Sequence, residues 1–127
     1  MLALYALQRG ARSAVGLDTD PWSIDNAVEN RALNHVPAEQ LEIRAGTLAE
    51  TVPPTEHYDL IFANIHRNVL IEIAPEILER AAPGATIILS GLLIYDAAEV
   101  RAAFERTGFT FVRELTENEW ACLVLAR

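Results

Sequence analysis

The amino-acid sequence predicts an α/β protein built as a three-layer sandwich, in which helices cover a mostly parallel sheet. The main observation is that short apolar runs alternate with helix-like segments up to about residue 106. A second observation comes from the C-terminal segment, where two strand-like runs are separated only by Thr116, Glu117 and Asn118. Because so short a connection joins antiparallel neighbours, the sheet is predicted to end in an antiparallel hairpin.

Length and composition indicate one globular domain over residues 1–127. The chain has 127 residues, of which 51% are hydrophobic. It is long enough to form one core and too short for two domains of ordinary size. The apolar runs stay well short of the roughly 18 residues that a membrane span needs. The N-terminus lacks the basic start and the cleavage pattern of a signal peptide. We therefore expect a protein that does not bind a membrane and resides in the cytoplasm.

The net charge and the cysteine content exclude several classes of site. The formal charge is −8, whereas binding to nucleic-acid phosphates depends on clustered Lys and Arg. We therefore expect no direct binding to nucleic acid, and a basic partner is more natural. Acidic excess also simply keeps proteins in solution, which explains the charge without any partner. Cys122 is the one cysteine of the sequence, so neither a disulfide within the chain nor a metal site is expected.

The first elements follow from helix formers, caps and apolar runs. Residues 1–9 are good helix formers and stop at Gly10, which predicts a helix that is already under way where the sequence starts. The small apolar run 13–17 predicts a strand buried on both faces of a parallel sheet. Asp20 followed by Pro21 is an N-cap with proline in the first turn, and it starts a helix that continues to about residue 34.

The middle of the chain continues the same alternation. Residues 40–45 alternate polar and apolar side chains and predict a short strand, and 51–56 predict a surface connection. The apolar run 58–63 predicts the next strand. Residues 68–81 carry apolar side chains on one helical face, and Pro75 is expected to kink or split this helix.

The last third begins with a turn. Residues 83–84 are a Pro-Gly pair typical of a turn, and 85–90 form a strand-like run. A helix is predicted over 97–106, and Gly108 ends it. The hairpin strands are predicted over residues 109–115 and 119–126.

Candidate site residues follow the strands, because open parallel sheets bind ligands beyond the carboxyl ends of their strands. Asp18 and Thr19 end the first predicted strand. A carboxylate at this place can accept hydrogen bonds from both hydroxyls of a ribose, although a solvated acid at a strand end would look the same. Asp20 is explained by its role as a helix cap.

The second and third strand ends give three further candidates. Thr47 and Leu48 follow Gly46, so the backbone can approach a flat ring that Leu48 covers, and a plain turn is the alternative. Asn64 follows the strand 58–63 and offers a carbonyl oxygen and an NH₂ group that can hold an amine or the polar end of a cofactor. A turn that ends the strand is the alternative for Asn64. His66 is interpreted as a surface histidine.

The sequence resembles the methyltransferases that modify ribosomal protein L11. The resemblance covers essentially the whole chain, and its most specific parts are VGLDTDPWSIDNAVENRALN, YDLIFANI, PGATIILSGLL and GFTFVRELTENEWACLVLAR. It implies a three-layer, Rossmann-like class I methyltransferase sandwich that binds S-adenosylmethionine and methylates lysine side chains and an α-amino group of L11. By the same resemblance Asp18 holds the ribose, and Thr19 also belongs to the cofactor site. Thr47 and Leu48 lie beside the adenine, and Asn64 contacts the cofactor and serves catalysis.

The sequence departs from the family pattern at its beginning. In the family, a glycine-rich loop and the central first strand precede the helix that matches residues 1–9. The resemblance therefore predicts an N-terminally truncated catalytic domain that lacks the first strand and binds its cofactor poorly. Either the chain is a fragment, or it replaces the missing strand by pairing with another copy through unpaired strand edges. The alternatives are a class I methyltransferase of another substrate, an inactive interaction module, or a nicotinamide-dependent dehydrogenase. The C-terminal hairpin and the ANI sequence argue against the dehydrogenase.

Overall fold

The computed structural model describes residues 2–127. Met1, part of the first predicted helix, lies outside the described residues. The helices are α1 (Leu2–Gln8), α2 (Pro21–Leu33), α3 (Leu48–Thr51), α4 (Arg67–Arg80) and α5 (Ile94–Thr107). The strands are β1 (Ala14–Asp18), β2 (Leu41–Ala45), β3 (Tyr58–Asn64), β4 (Ala81–Leu93), β5 (Thr110–Glu117) and β6 (Trp120–Ala126). None of the helices described over residues 2–127 is long and apolar enough to cross a bilayer.

The chain divides into two compact units, the first ending at Val52. In this unit β1 and β2 pair in parallel, with Ala14 opposite Leu41 and Asp18 opposite Ala45. Helix α1 packs on β1, and α2 packs on both strands. The prediction that β1 is buried on both faces is wrong, because each of its residues is half-buried or exposed. A strand that has a neighbour along one edge only keeps more of its surface accessible.

Helix α2 begins where the sequence predicts. The Asp20 carboxylate accepts a hydrogen bond from the backbone N–H of Trp22 at 3.1 Å, and the hydroxyl of Ser23 donates to the same carboxylate at 3.1 Å. Farther along, the Arg31 guanidinium donates to the carbonyl oxygen of Leu41 at 3.0 Å. The helix is therefore held at one end by its own cap and at the other by β2.

The second unit runs from Pro53 to Arg127 and contains a four-stranded sheet in the order β3-β4-β6-β5. Strands β3 and β4 are parallel, whereas β6 is antiparallel to both β4 and β5. The predicted hairpin is therefore confirmed, and it places β6 between β4 and the edge strand β5. Helices α4 and α5 pack against each other and against this sheet.

The core of the second unit lies between the sheet and these two helices. Phe104 is completely buried, and its ring lies 5.3 Å from that of Phe109. Apolar side chains that alternate along β4 and β6 complete the layer, namely Ile87, Leu89, Leu123 and Leu125. The Arg127 guanidinium donates to the carbonyl oxygens of Leu78 and Ala81, so the end of the chain is attached to the end of α4.

Helix α4 is continuous from Arg67 to Arg80, so of the kink or split predicted at Pro75 the split does not occur. Proline removes one backbone donor, but the same turn buries Ala74 and Ile77 while Pro75 itself is exposed. Burial of the apolar face stabilises the helix enough to keep it unbroken. Helix α5 likewise begins at Ile94, ahead of the predicted start at residue 97.

Strand β4 is longer than predicted and contains the predicted turn. Tyr58 pairs with Ala81, and Leu60 pairs with Thr86. A step of two residues along β3 therefore corresponds to a step of five residues along β4. The additional residues of β4 include residues 83–84, where Gly84 has a φ of +80°. The Pro-Gly pair therefore forms an irregularity inside one long strand, because the residues before and after it both pair with β3.

The strands described within residues 2–127 form two sheets. Strands β1 and β3 each have a strand neighbour along one edge only. A helix that connects two strands of one sheet indicates that the strands are parallel. It does not show whether the second strand lies next to the first or is separated from it by another strand. The alternation of elements therefore predicts the strands and their direction without identifying their neighbours.

Candidate functional site

In the first unit, parallel pairing brings two of the predicted strand ends together. Asp18 and Ala45 are register partners, and the backbone N–H of Gly46 donates to the Asp18 carbonyl oxygen at 2.8 Å. Thr47 and Leu48 follow directly. The candidate ribose and adenine residues of the sequence analysis are therefore neighbours at the carboxyl edge of one sheet.

The Asp18 side chain is exposed and held in place by the backbone. Its Oδ1 accepts a hydrogen bond from the Asp20 N–H at 2.9 Å, which orients the carboxylate at the strand end. Thr19, between the two acids, is also exposed. Because Asp20 caps α2, Asp18 is the carboxylate of this turn that is placed to meet a ligand.

Thr47 has a role that the sequence analysis missed. Its hydroxyl accepts from the Glu50 N–H at 3.3 Å, and the Glu50 carboxylate accepts from the Thr47 N–H at 3.0 Å. This capping box starts α3 in a segment predicted as a loop. The signal is in the sequence, since Thr-Leu-Ala-Glu has the threonine-to-glutamate spacing of the motif. Its consequence is that Leu48, which is half-buried, begins a helix beside Asp18.

The capping box gives a titration prediction. The hydrogen bonds from the backbone and side chain of Thr47 lower the pKa of Glu50 from its ordinary value of 4.5. Because the pKa is lowered in the folded state, the stabilisation is present above about pH 4.5 and is lost as the pH falls through the folded value. Thr47→Ala keeps the backbone N–H, which is the larger cause, and removes the hydroxyl, so we expect the pKa of Glu50 to rise part of the way toward 4.5, measured by NMR titration of its carboxyl carbon. Thr55→Ala, in an exposed loop, is the control, and an unchanged Glu50 titration in Thr47→Ala would contradict the contribution of the Thr47 hydroxyl.

In the second unit, Asn64 is the last residue of β3 and is exposed. Its register partner on β4 is Ser90, and the following residue, Gly91, lies directly against the Asn64 side chain. A side chain at Gly91 would overlap the Asn64 Oδ1 atom. The interpretation of Asn64 as a mere turn residue therefore misses its contact with the neighbouring strand.

A cavity of about 340 Å³ opens next to this contact. It is lined by Ser90, Gly91, Leu115, Thr116, Glu117, Trp120, Ala121 and Cys122. Trp120 is half exposed, and Glu117 is exposed on the same hairpin. Trp120, Glu117 and the glycine that contacts Asn64 therefore line the same cavity. The sequence alone does not show that these hairpin residues meet Gly91, because their proximity depends on the pairing of β4 with β6.

Cys122 is half-buried in β6 and lines this cavity, although its place in an apolar strand-like run of the sequence predicts a core position. Burial raises the pKa of its thiol, and the charge of Arg113 opposes this rise. The thiol is therefore kept protonated at neutral pH and is a weakly polar part of the wall.

Arg67 links the segment after β3 to the start of α5. Its guanidinium donates to the Asp96 carboxylate at 3.0 Å and to that of Glu99 at 3.2 Å. His66, one residue before, is exposed at the N-cap of α4, and its side chain makes no capping hydrogen bond. Arg67 thus restrains the segment that follows Asn64, whereas His66 lies at the surface, as predicted.

The described part of the chain contains no group of three or more His, Cys, Asp or Glu side chains able to hold a metal ion. His35 lies in a turn at a φ of +56°, and His57 is exposed in the segment before β3. Neither contributes to the strand ends described above.

The fold is similar to that of solved methyltransferases. A methyltransferase of Pyrococcus furiosus has a similar structure, with a TM-score of 0.76 over 98% of this chain and 68% of its own, at 15% sequence identity. At that identity the likeness concerns the fold alone, which is the Rossmann-like fold of class I methyltransferases.

Closer similarities identify the family. The family model described as ribosomal protein L11 methyltransferase (PrmA) matches residues 1–127. A ribosomal protein L11 methyltransferase of Desulforapulum autotrophicum is 40% identical over 98% of the chain and 40% of its own length. The structure of a ribosomal protein L11 methylase from Lactobacillus delbrueckii subsp. bulgaricus, 25% identical, has a TM-score of 0.90 over 99% of this chain and 63% of its own. The chain belongs to the ribosomal protein L11 methyltransferase family, and it spans about two fifths of the length of that curated relative.

Proposed function

We propose that the chain is the catalytic part of an S-adenosylmethionine-dependent methyltransferase that methylates lysine side chains and an α-amino group of ribosomal protein L11. The observation that carries the proposal is the position of Asn64. Its carboxamide is exposed at the carboxyl end of β3 and contacts Gly91, which lines the neighbouring cavity. Membership of the family supports methyl transfer as the reaction and L11 as the acceptor.

The donor chemistry of the first unit fits the adenosine part of S-adenosylmethionine. Asp18 presents a fixed carboxylate that can accept from ribose hydroxyls, with Thr19 beside it. Thr47 holds the start of α3, so the apolar side chain of Leu48 is placed to cover a ring. When bound, S-adenosylmethionine supplies a methyl group that its sulfonium charge activates. We assign Asp18, Thr19, Thr47 and Leu48 to cofactor binding, and Asn64 to contact with both cofactor and acceptor.

The acceptor must be an uncharged amine when it reacts. A lysine amine has a pKa of roughly 10.4 in water, so the ammonium ion has to lose a proton before its nitrogen can attack carbon. Oδ1 of Asn64 can accept a hydrogen bond from the amine and so direct its lone pair. Burial in the cavity disfavours the charged form of the amine and lowers its pKa. Asn64 and the cavity wall are therefore proposed to act by orientation and desolvation.

The cavity and the net charge both suit a basic acceptor. The ring of Trp120 and the carboxylate of Glu117 can attract a cationic side chain before it is deprotonated. The formal charge of −8 would speed the encounter with a basic ribosomal protein. The same charge supports recognition of the protein rather than of ribosomal RNA.

The test is to incubate the intact enzyme that contains this catalytic part with L11 and isotopically labelled S-adenosylmethionine, and to locate the label by mass spectrometry. We expect it on lysine side-chain nitrogens and on the α-amino nitrogen of L11. L11 whose amino groups have been acetylated is the control and should accept no label. Label that appears on RNA or on another protein, with L11 unmodified, would overturn the proposed acceptor.

A further inference from the structure

Strand β4 departs from a regular ladder beside Asn64. Its pairing with β6 shifts between Leu89 and Leu92, and Gly91 lies within this irregularity with a φ of +75°. Glycine adopts this conformation readily, whereas residues with a side chain rarely do. The irregularity therefore places a residue without a side chain opposite the end of β3.

The space above Gly91 is filled by Asn64. A Cβ atom built on Gly91 would overlap Oδ1 of Asn64, and its next neighbours would be Cγ of Asn64 at 3.3 Å and the backbone carbonyl carbon of Asn64 at 4.0 Å. The three nearest heavy atoms therefore all belong to one residue. The contact is specific to the carboxamide, because the rest of the surroundings would leave room for a methyl group.

We propose that Gly91 is a positioning residue that acts through Asn64: its lack of a side chain lets the Asn64 carboxamide lie against β4, next to the cavity. The proposal deepens the proposed function, on which its catalytic consequence rests. Gly91 itself is not proposed to touch the reacting atoms.

A methyl group at Gly91 would force the carboxamide to move. Ordinary contact between heavy atoms begins near 3.4 Å, so Oδ1 has to shift by more than about 1 Å. A misplacement of about 1 Å near the reacting atoms costs on the order of a hundredfold in rate. We therefore expect Gly91→Ala to lower kcat for L11 methylation by at least about tenfold, while the Kd for S-adenosylmethionine changes by less than about threefold.

Gly84 provides a matched control in the same strand. Its φ of +80° is nearly that of Gly91, but a Cβ atom there would meet no heavy atom within 4 Å. Gly84→Ala therefore introduces a similar backbone strain without a collision. It should leave kcat unchanged within about twofold.

The experiment compares Gly91→Ala, Gly84→Ala, Asn64→Ala and the double variant Asn64→Ala/Gly91→Ala. If Gly91 acts through Asn64, Gly91→Ala should change kcat by less than about twofold when Asn64 is already alanine. A full additional tenfold loss in the double variant would overturn the proposal. So would equal losses of kcat in Gly91→Ala and Gly84→Ala.

Two readouts remain even if the protein does not methylate L11. The side-chain NH₂ signal of Asn64, assigned by its loss in Asn64→Ala, should shift in Gly91→Ala and not in Gly84→Ala. Gly91→Ala can lower the melting midpoint more than Gly84→Ala does. In that case the double variant Asn64→Ala/Gly91→Ala should regain the additional loss of melting midpoint, because removal of the carboxamide removes the collision. An unshifted signal or a melting midpoint that does not recover contradicts the contact, independently of the proposed function.

Discussion

Replacing Asn64 with alanine should lower the turnover of amine methylation by about a hundredfold, and should weaken S-adenosylmethionine binding much less. The reason is that the Asn64 carboxamide is proposed to align the acceptor amine at the carboxyl end of β3, and misalignment by about 1 Å has an effect of this size. Steady-state kinetics with L11 and a separate measurement of the cofactor Kd give the two quantities.

The control for this prediction is Asn26→Ala, which removes an exposed amide from helix α2 and should leave both quantities unchanged. If cofactor affinity collapses in Asn64→Ala while turnover at saturating cofactor is retained, Asn64 only holds the cofactor. The proposed alignment of the amine is then wrong.

The second large effect is expected at Asp18. In the intact enzyme, Asp18→Ala should weaken S-adenosylmethionine binding by about 1.5–3 kcal/mol, the usual scale for losing hydrogen bonds to a charged group, which is roughly ten- to hundredfold in Kd. The carboxylate is exposed at the end of β1 and is oriented by the Asp20 N–H. Isothermal titration calorimetry measures the effect directly.

Asp20→Ala is the matched control, since it removes a carboxylate from the same turn. Asp20 caps α2, so its loss should cost about 1 kcal/mol of folding stability, seen as a lower melting midpoint. The cofactor Kd should change little. A Kd that is unchanged in Asp18→Ala, or equally weakened in both variants, would remove Asp18 from the cofactor site.

Much of the fold is predictable because it depends on neighbours in the chain. The Asp20–Pro21 start of α2 and the strand pair around residues 116–118 are local signals, and both are confirmed. The capping box at Thr47 and Glu50 is equally local, and its spacing is sufficient to predict α3. Pro75 misleads because its intrinsic cost to a helix is outweighed by the burial of Ala74 and Ile77, which depends on packing.

The candidate site likewise combines features that the sequence predicts with contacts that only the structure shows. The sequence identifies Asp18, Thr47 and Asn64 as polar residues that follow strands, because strand ends are visible as the limits of apolar runs. That Gly46 lies against Asp18 follows only from the parallel pairing of β1 with β2. The role of Gly91 is hidden from sequence reasoning in the same way, since a glycine inside a strand indicates an irregularity without showing what occupies the freed space.

The sequence by itself determined the α/β class, the hairpin, the helix caps and the residues that can carry chemistry. These features depend on side chains a few residues apart, whose local energies favour one conformation. Only the tertiary structure decided which strands are hydrogen-bonded, that Gly91 receives the Asn64 carboxamide, and that Trp120 and Glu117 line the cavity beyond it. These contacts join residues that are far apart in the chain. They form because β4 pairs with β3 and β6 in one register, and that register is set cooperatively over whole strands.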